Sequence, residues 1–244
     1  MSKNGKPAAG KQALRWTGRI LLILLTVLAL LAIIFLSRGY SLYQKAVQQK
    51  SLAAAVEEIR DKEDYTPLAA LPQTYLDAVV SAEDCRFYQH EGIDLISIGR
   101  AAIHDIQTLS LEEGGSTITQ QLAKNIYFTQ EKDFSRKFAE MFLAFDLERN
   151  YSKNEILELY VNTIYFGDGY YSVKEASQGY FGKFPSEMNQ QECTLLAGIP
   201  NAPSVYAPTK NPDLAAQRQR QVLDKMVDNG KLTEQEAADL LIQV

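Results

Sequence analysis

Two glutamates, Glu83 and Glu140, stand where a carboxylate could move a proton or organise charge. Tyr75, Ala78, Val79 and Ala82 recur at helical spacing, which predicts a helix starting near Pro72 and running directly into Glu83 and Asp84. A carboxylate held against apolar neighbours has its charged form disfavoured, which moves it towards the proton affinity of a general acid or base. The alternative is a solvated last helical turn with no role, and this stretch alone does not decide between them. Glu140 falls between Asp133 and Asn150, where Phe134, Phe138, Met141, Phe142 and Phe145 share one helix face and Arg136, Glu140, Leu143 and Leu147 another. A helix apolar on two sides is buried on both, which puts Glu140 in a packed or cleft environment with Arg136 one turn away. The alternative is an exposed i,i+4 pair worth a few tenths of a kcal/mol at most. Between the two glutamates, Gly114 and Gly115 precede Ser116, Thr117, Ile118, Thr119, Gln120, Gln121, Lys124 and Asn125. A glycine pair leading into a helix start leaves backbone N–H groups free, a setting that suits phosphate or pyrophosphate. Such starts are common, and the density of hydroxyl and amide side chains after this one is its distinguishing feature.

The elements that must position these residues read as mostly α. Ser152 with Glu155, and Thr233 with Glu236, have capping-box spacing; a helix from Asp213 should stop at Gly230. Irregular connections are expected at Gly114-Gly115, at Gly167-Asp168-Gly169 and from Pro200 to Pro212, and neither strand-like alternation nor an internal repeat is evident. Ile20 to Leu36 is an uncharged apolar run of 17 residues bounded by Arg19 and Arg38, at the short end for a membrane span. A secretory signal is the competing reading, but the run exceeds a usual signal core and no small-x-small cleavage site follows it. Lys3, Lys6, Lys11, Arg15 and Arg19 precede it without an acidic residue, so the N-terminus is expected in the cytoplasm and everything after the span outside. The expected organisation is a basic tail (1–19), a transmembrane helix (20–36), a helical or extended stalk (37–64) and one domain (65–244). The net charge of −5 is carried by the exported part and argues against nucleic acid as a partner. Cys85 and Cys193 are too few for a disulfide framework, lack metal-ligand spacing and read as ordinary thiols.

The order of these segments carries more than any one of them. Glu83-Asp84-x-x-Phe87-x-x-His90-x-Gly92-x-Asp94, then Gly114 through Gln121 with Lys124-Asn125, then Arg136-Lys137-x-x-Glu140, resemble the peptidoglycan glycosyltransferase family, and the likeness continues through Ile156-Leu157-Glu158-x-Tyr160-x-Asn162, Gly167, Tyr180-Phe181-Gly182 and Leu195 to Pro208. The resemblance implies a lysozyme-like helical glycosyltransferase domain with a cleft and a smaller membrane-proximal jaw lobe that admits a lipid tail. It implies that Glu83 takes the proton of the sugar 4-hydroxyl of incoming lipid II, and that Glu140 sits near the leaving undecaprenyl pyrophosphate. Asp84, Phe87, His90, Arg100, Ser116, Thr117, Gln120, Gln121, Lys124, Asn125, Lys132, Arg136 and Lys137 are the implied substrate-binding positions, with His90 a positioned hydrogen-bonding residue rather than an acid. For each cation the alternative is a solvated surface charge. No tightly bound cofactor is implied; a divalent cation, Mg or Mn, near Glu140 and the pyrophosphate is left open. The expected partners are lipid II, the growing glycan chain and the membrane, with other cell-wall synthesis proteins left open.

A lytic glycosidase on a similar scaffold is the nearest alternative, but a hydrolase needs a protonated acid and gains nothing from clustered cations. A non-catalytic membrane scaffold would have no use for both glutamates amid polar cleft residues. Neither Ser-x-x-Lys nor Lys-Thr-Gly occurs, so the expectation is a monofunctional enzyme without a transpeptidase.

Overall fold

The computed structural model describes residues 8–108, 114–128 and 134–241. Among these the secondary structure is helical, with one isolated bridge between Gly167 and Tyr170 in place of any strand. Helix α1 (Ala8–Gln49) contains no proline and runs unbroken through the apolar segment, whose side chains from Ile20 to Ile34 project into open space. It is long and apolar enough to cross a membrane and anchors the chain there.

The expected stalk takes a different form. Helix α1 continues as far as Gln49, and Gly39 and Ala46 are already buried in it. Ser51 then caps α2 (Leu52–Arg60) by accepting the Ala54 N–H at 3.2 Å, and Ala55, Val56 and Ile59 bury the apolar face of this short helix. The Thr66-Pro67 turn is pinned by Asn162, whose side-chain amide donates to Thr66 O at 2.9 Å while its Oδ1 accepts the Thr66 N–H at 2.8 Å. Residues 39–66 thus pack onto the domain, because Ala46, Ala55, Val56 and Ile59, which look scattered in sequence, fall on the side that meets it, while Ala53 and Ala54 face solvent.

Helix α3 (Gln73–Glu83) buries Tyr75, Ala78, Val79 and Ala82, the face its spacing predicts. Asp94 opens α4 (Leu95–Thr108) by accepting the N–H groups of Ile96 and Ser97. Burial alone would raise the Asp94 carboxyl, but hydrogen bonds from Ser97 and Arg86 outweigh it and hold it at about 2. A Thr117–Gln120 capping box begins α5 (Ile118–Tyr127).

Helix α6 (Phe134–Asn150) is apolar on two sides as expected. One face meets α1, with Phe35 stacked on Phe138 and Tyr40 edge-on to Phe142; the other sends Leu143 and Leu147 into the core. The predicted Ser152–Glu155 box starts α7 (Lys153–Val161). After a tight turn at Gly167-Asp168-Gly169, all at positive φ, α8 (Val173–Phe181) ends on left-handed Gly182. Helices α9 (Gln190–Gly198), the short α10 (Pro203–Tyr206), α11 (Pro212–Asp228) and α12 (Glu234–Asp239) follow. Gly230, at φ 66°, lies beyond α11, and Thr233 caps α12 as expected. The core is built where α3 packs on α9 and α11, and where α5 packs on α6 and α7.

Candidate active site

Where the C-terminal end of α3, the start of α5, α4 and α11 converge, they leave a solvent-open cleft of about 890 Å³. Glu83 lines it from the last residue of α3, its side chain mostly covered. Its Oε2 accepts the Gln121 side-chain N–H at 2.8 Å, and Gln121 is oriented in turn by the Tyr160 hydroxyl, which donates to its Oε1 at 3.2 Å. Burial, followed by the nearby charge of Glu83, pushes the Tyr160 phenol far up and keeps it a donor. The other oxygen, Oε1, accepts no hydrogen bond and has Arg218 as an ion partner at 3.9 Å. Glu83 therefore has one oxygen anchored and a second, buried oxygen that no donor satisfies, an orphaned acceptor suited to a general base.

A cation cluster stands beside it. Lys124 and Lys137 both line the cleft. Lys137 Nζ donates to Glu140 Oε2 at 2.7 Å and to Ser116 Oγ at 3.2 Å, while Arg136 Nε lies 3.0 Å from Glu140 Oε1. The Arg136 approach is an ion contact whose angle does not make a hydrogen bond. Glu140 is fully buried, and its carboxylate meets these cations rather than solvent. Burial foremost, then the charge of Lys137, depresses the Lys124 ammonium below the ordinary lysine value. Such a cluster, short of negative charge, fits an anion with more than one charged oxygen.

The implied substrate positions separate into those that reach the cleft and those that support it. Arg100, Ser116, Thr117, Gln121, Lys124 and Lys137 line it. Asp84 lines it too, but its carboxylate is committed to His90 Nε2 at 2.9 Å and to the Ile118 N–H at 3.0 Å, so it clamps the start of α5 to the end of α3. Three implied positions lie behind the lining. His90 is buried behind Asp84, Gln120 is spent on the capping box, and Phe87 is fully buried in the core beneath the Lys153 ammonium. These three stand in the walls of the cleft, with His90 as the hydrogen-bonding partner of Asp84. Asn125 is half-buried on α5 away from the lining, Arg136 acts through Glu140, and Lys132 lies outside the described residues.

One wall escaped the sequence reading. Arg218, Gln221, Lys225 and Tyr206 also line the cleft. Arg218 is buried, donates to Gln221 Oε1 at 2.9 Å and stacks over Tyr206; Lys225 ties α11 to α3 by donating to Ala82 O at 2.7 Å. An arginine at a core-facing register of an amphipathic helix was the available signal. His104, left without a role in the sequence, lines the same cleft. Cys85 and Cys193 are free thiols.

Residues 49–227 match the transglycosylase family, a span that begins well before the boundary expected at residue 65 and includes the packed segment after α1. Penicillin-binding protein 1F of Bacillus subtilis is 41% identical over 229 residues, covering 89% of this chain and 32% of that protein. Penicillin-binding protein 1A of Neisseria gonorrhoeae is 42% identical over 175 residues, covering 72% of this chain and 22% of that one. The chain thus spans about a third or less of the length of these two relatives. A protein of Cupriavidus necator named as a candidate transglycosylase is 38% identical over 230 residues, with 93% of this chain and 96% of that protein covered. Among solved structures, penicillin-binding protein 1A from Haemophilus influenzae matches at a TM-score of 0.45 and 23% identity, over 74% of this chain and 17% of that chain. With most of its length matched to the family and a relative aligned from end to end, the chain belongs to the transglycosylase family.

Proposed function

We propose that this chain is a peptidoglycan glycosyltransferase that polymerises lipid II into linear glycan strands on the outer face of the cytoplasmic membrane. The observation that carries the reading is Glu83, anchored through one oxygen by Gln121 with the other oxygen accepting no hydrogen bond, in the same cleft as Lys124 and Lys137. Glu83 takes the proton of the acceptor 4-hydroxyl as its oxygen attacks the anomeric carbon of the growing chain. The bond from that carbon to the undecaprenyl pyrophosphate oxygen breaks, and the carbon inverts. The leaving pyrophosphate is already anionic, so it needs cations where charge develops more than it needs a proton donor. Lys124 and Lys137 supply them, with Arg136 held in place through Glu140.

A lytic glycosidase fits less well. Both Glu140 oxygens face cations, leaving no oxygen to deliver a proton to a sugar leaving group. A resident dication is also poorly provided for: among the described residues there is no cluster of three acidic, His or Cys side chains, and Glu140 would have to give up Lys137 to bind one.

The five basic residues before the span support a cytoplasmic N-terminus. Leu95, Ile96 and Ile103 of α4 and Phe134 of α6 are strongly exposed apolar side chains, and this surface rests against the bilayer beside the lipid substrate. The test is polymerisation of labelled lipid II by the detergent-solubilised full chain, with and without added Mg or Mn, comparing wild type with Glu83→Gln. Ladders of glycan from wild type and none from the variant are expected. A folded wild type that makes no polymer under any of these conditions would overturn the assignment.

A further inference from the structure

Helix α6 faces two ways. Ser135, Phe138, Ala139 and Phe142 turn towards α1, and Arg136, Lys137 and Glu140 lie round the other side of the same turns, where Lys137 reaches the cleft. At Gly39 the two helices meet backbone to backbone. A Cβ placed there would stand 3.0 Å from Ser135 O and 3.1 Å from Ala139 N, with Phe138 Cβ nearer still. Backbone atoms cannot rotate away as a side-chain tip can, so a hydrogen is all this position admits. Aromatic contacts flank the crossing, Phe35 on Phe138 and Tyr43 on Phe142, and the Tyr43 hydroxyl donates to Asp146 Oδ2 at 2.5 Å. Gly18, just ahead of the apolar run in the same helix, has nothing within 4 Å.

We propose that Gly39 is a positioning residue for the active site: the close crossing it permits sets the placement of α6, and with it the placement of Arg136, Lys137 and Glu140. The membrane helix is then a structural part of the cleft as well as a tether. The assignment rests on the proposed transferase reading for what those cations do, while the contact itself is independent of it. A helix moves as a stiff rod, so a side chain wedged at Gly39 displaces the opposite face of α6, and misplacing a reacting group by about 1 Å costs on the order of 100-fold in rate. Because the cations act where charge develops on the leaving group, the loss belongs to kcat more than to KM.

The experiment uses the full chain in detergent and compares Gly39→Ala, Gly39→Leu and the same-helix control Gly18→Leu. It reads kcat and KM for labelled lipid II, together with amide hydrogen exchange. Gly18→Leu should match wild type, Gly39→Ala should lose about 10-fold in kcat and Gly39→Leu about 100-fold. In both Gly39 variants α6 should exchange faster while α3, α9 and α11 keep wild-type protection. Wild-type kcat in Gly39→Leu, or lost activity with α6 exchange unchanged, overturns the proposal. If Gly39→Leu does not fold, Gly39→Ala is judged by the same two criteria. An inactive wild type would sink the transferase reading instead; faster α6 exchange in Gly39→Ala alone would still support the positioning contact, and unchanged exchange would refute it.

Discussion

Gln120 and Gln121 are neighbours on α5 with opposite fates, because successive residues on a helix point about 100° apart. Gln120 closes the cap at the helix start, whereas Gln121 reaches across to Glu83. Replacing Glu83 by Gln should lower kcat by about 10²- to 10⁴-fold, the usual range for losing a general base, with the thermal midpoint close to wild type. Gln121→Ala should cost less, about 10-fold in kcat, because it frees the carboxylate without removing it. Lys124 gives a sharper test of the cation cluster. Its ammonium is depressed by burial and by Lys137, so the unfolded chain binds more protons between that lowered value and the ordinary 10.5. This group's contribution therefore makes stability rise with pH across that window, and below it the charged form is a net cost to the fold. Lys124→Met should raise the thermal midpoint at pH 7 while lowering kcat about 100-fold, and a midpoint that falls would show the charge to be stabilising.

At the scale of elements, caps with one chemistry serve different ends. Thr117 caps α5 and also donates to Gly92 O at 2.7 Å; Ser152 caps α7 at the surface. Removing either hydroxyl should cost about 1 kcal/mol, readable by denaturant unfolding. Only Thr117→Ala should also lower activity, severalfold, because α5 carries Gln121 and Lys124 into the cleft and α7 presents no side chain to its lining. Equal activity in the two variants would mean that α5 is held well enough without its cap. Asp84 belongs to the same level of organisation, since one buried carboxylate joins the end of α3, the start of α5 and His90.

For the whole molecule, the decisive arrangement is an apolar surface on α4 and α6 together with a membrane helix that packs onto α6. Replacing Leu95 and Ile96, 78% and 62% exposed, by Gln removes apolar surface that no core needs. In vesicles the double variant should raise the KM for lipid II severalfold with its thermal midpoint unchanged; an unchanged KM would mean that this surface does not meet the bilayer.

Local features were legible in the chain alone. Apolar spacing and capping pairs placed α3, α6, α7, α11 and α12 to within a residue or two, the basic tail and apolar run marked the span, and the motif order named both glutamates. These signals live within one element, where a helical period or a cap is complete in a few residues. Which side chains face the cleft and which hold its walls was settled by folding, because Asp84 is turned towards the Ile118 N–H at the start of α5 and Phe87 into the core beneath Lys153 of α7. The tertiary structure alone brought Arg218 to Glu83 from α11 and showed that residues 39–66 pack on the domain. Burial and close approach depend on neighbours far along the chain, as where Asp84 meets Ile118, Arg218 meets Glu83 and Gly39 meets Phe138, and no local pattern encodes them.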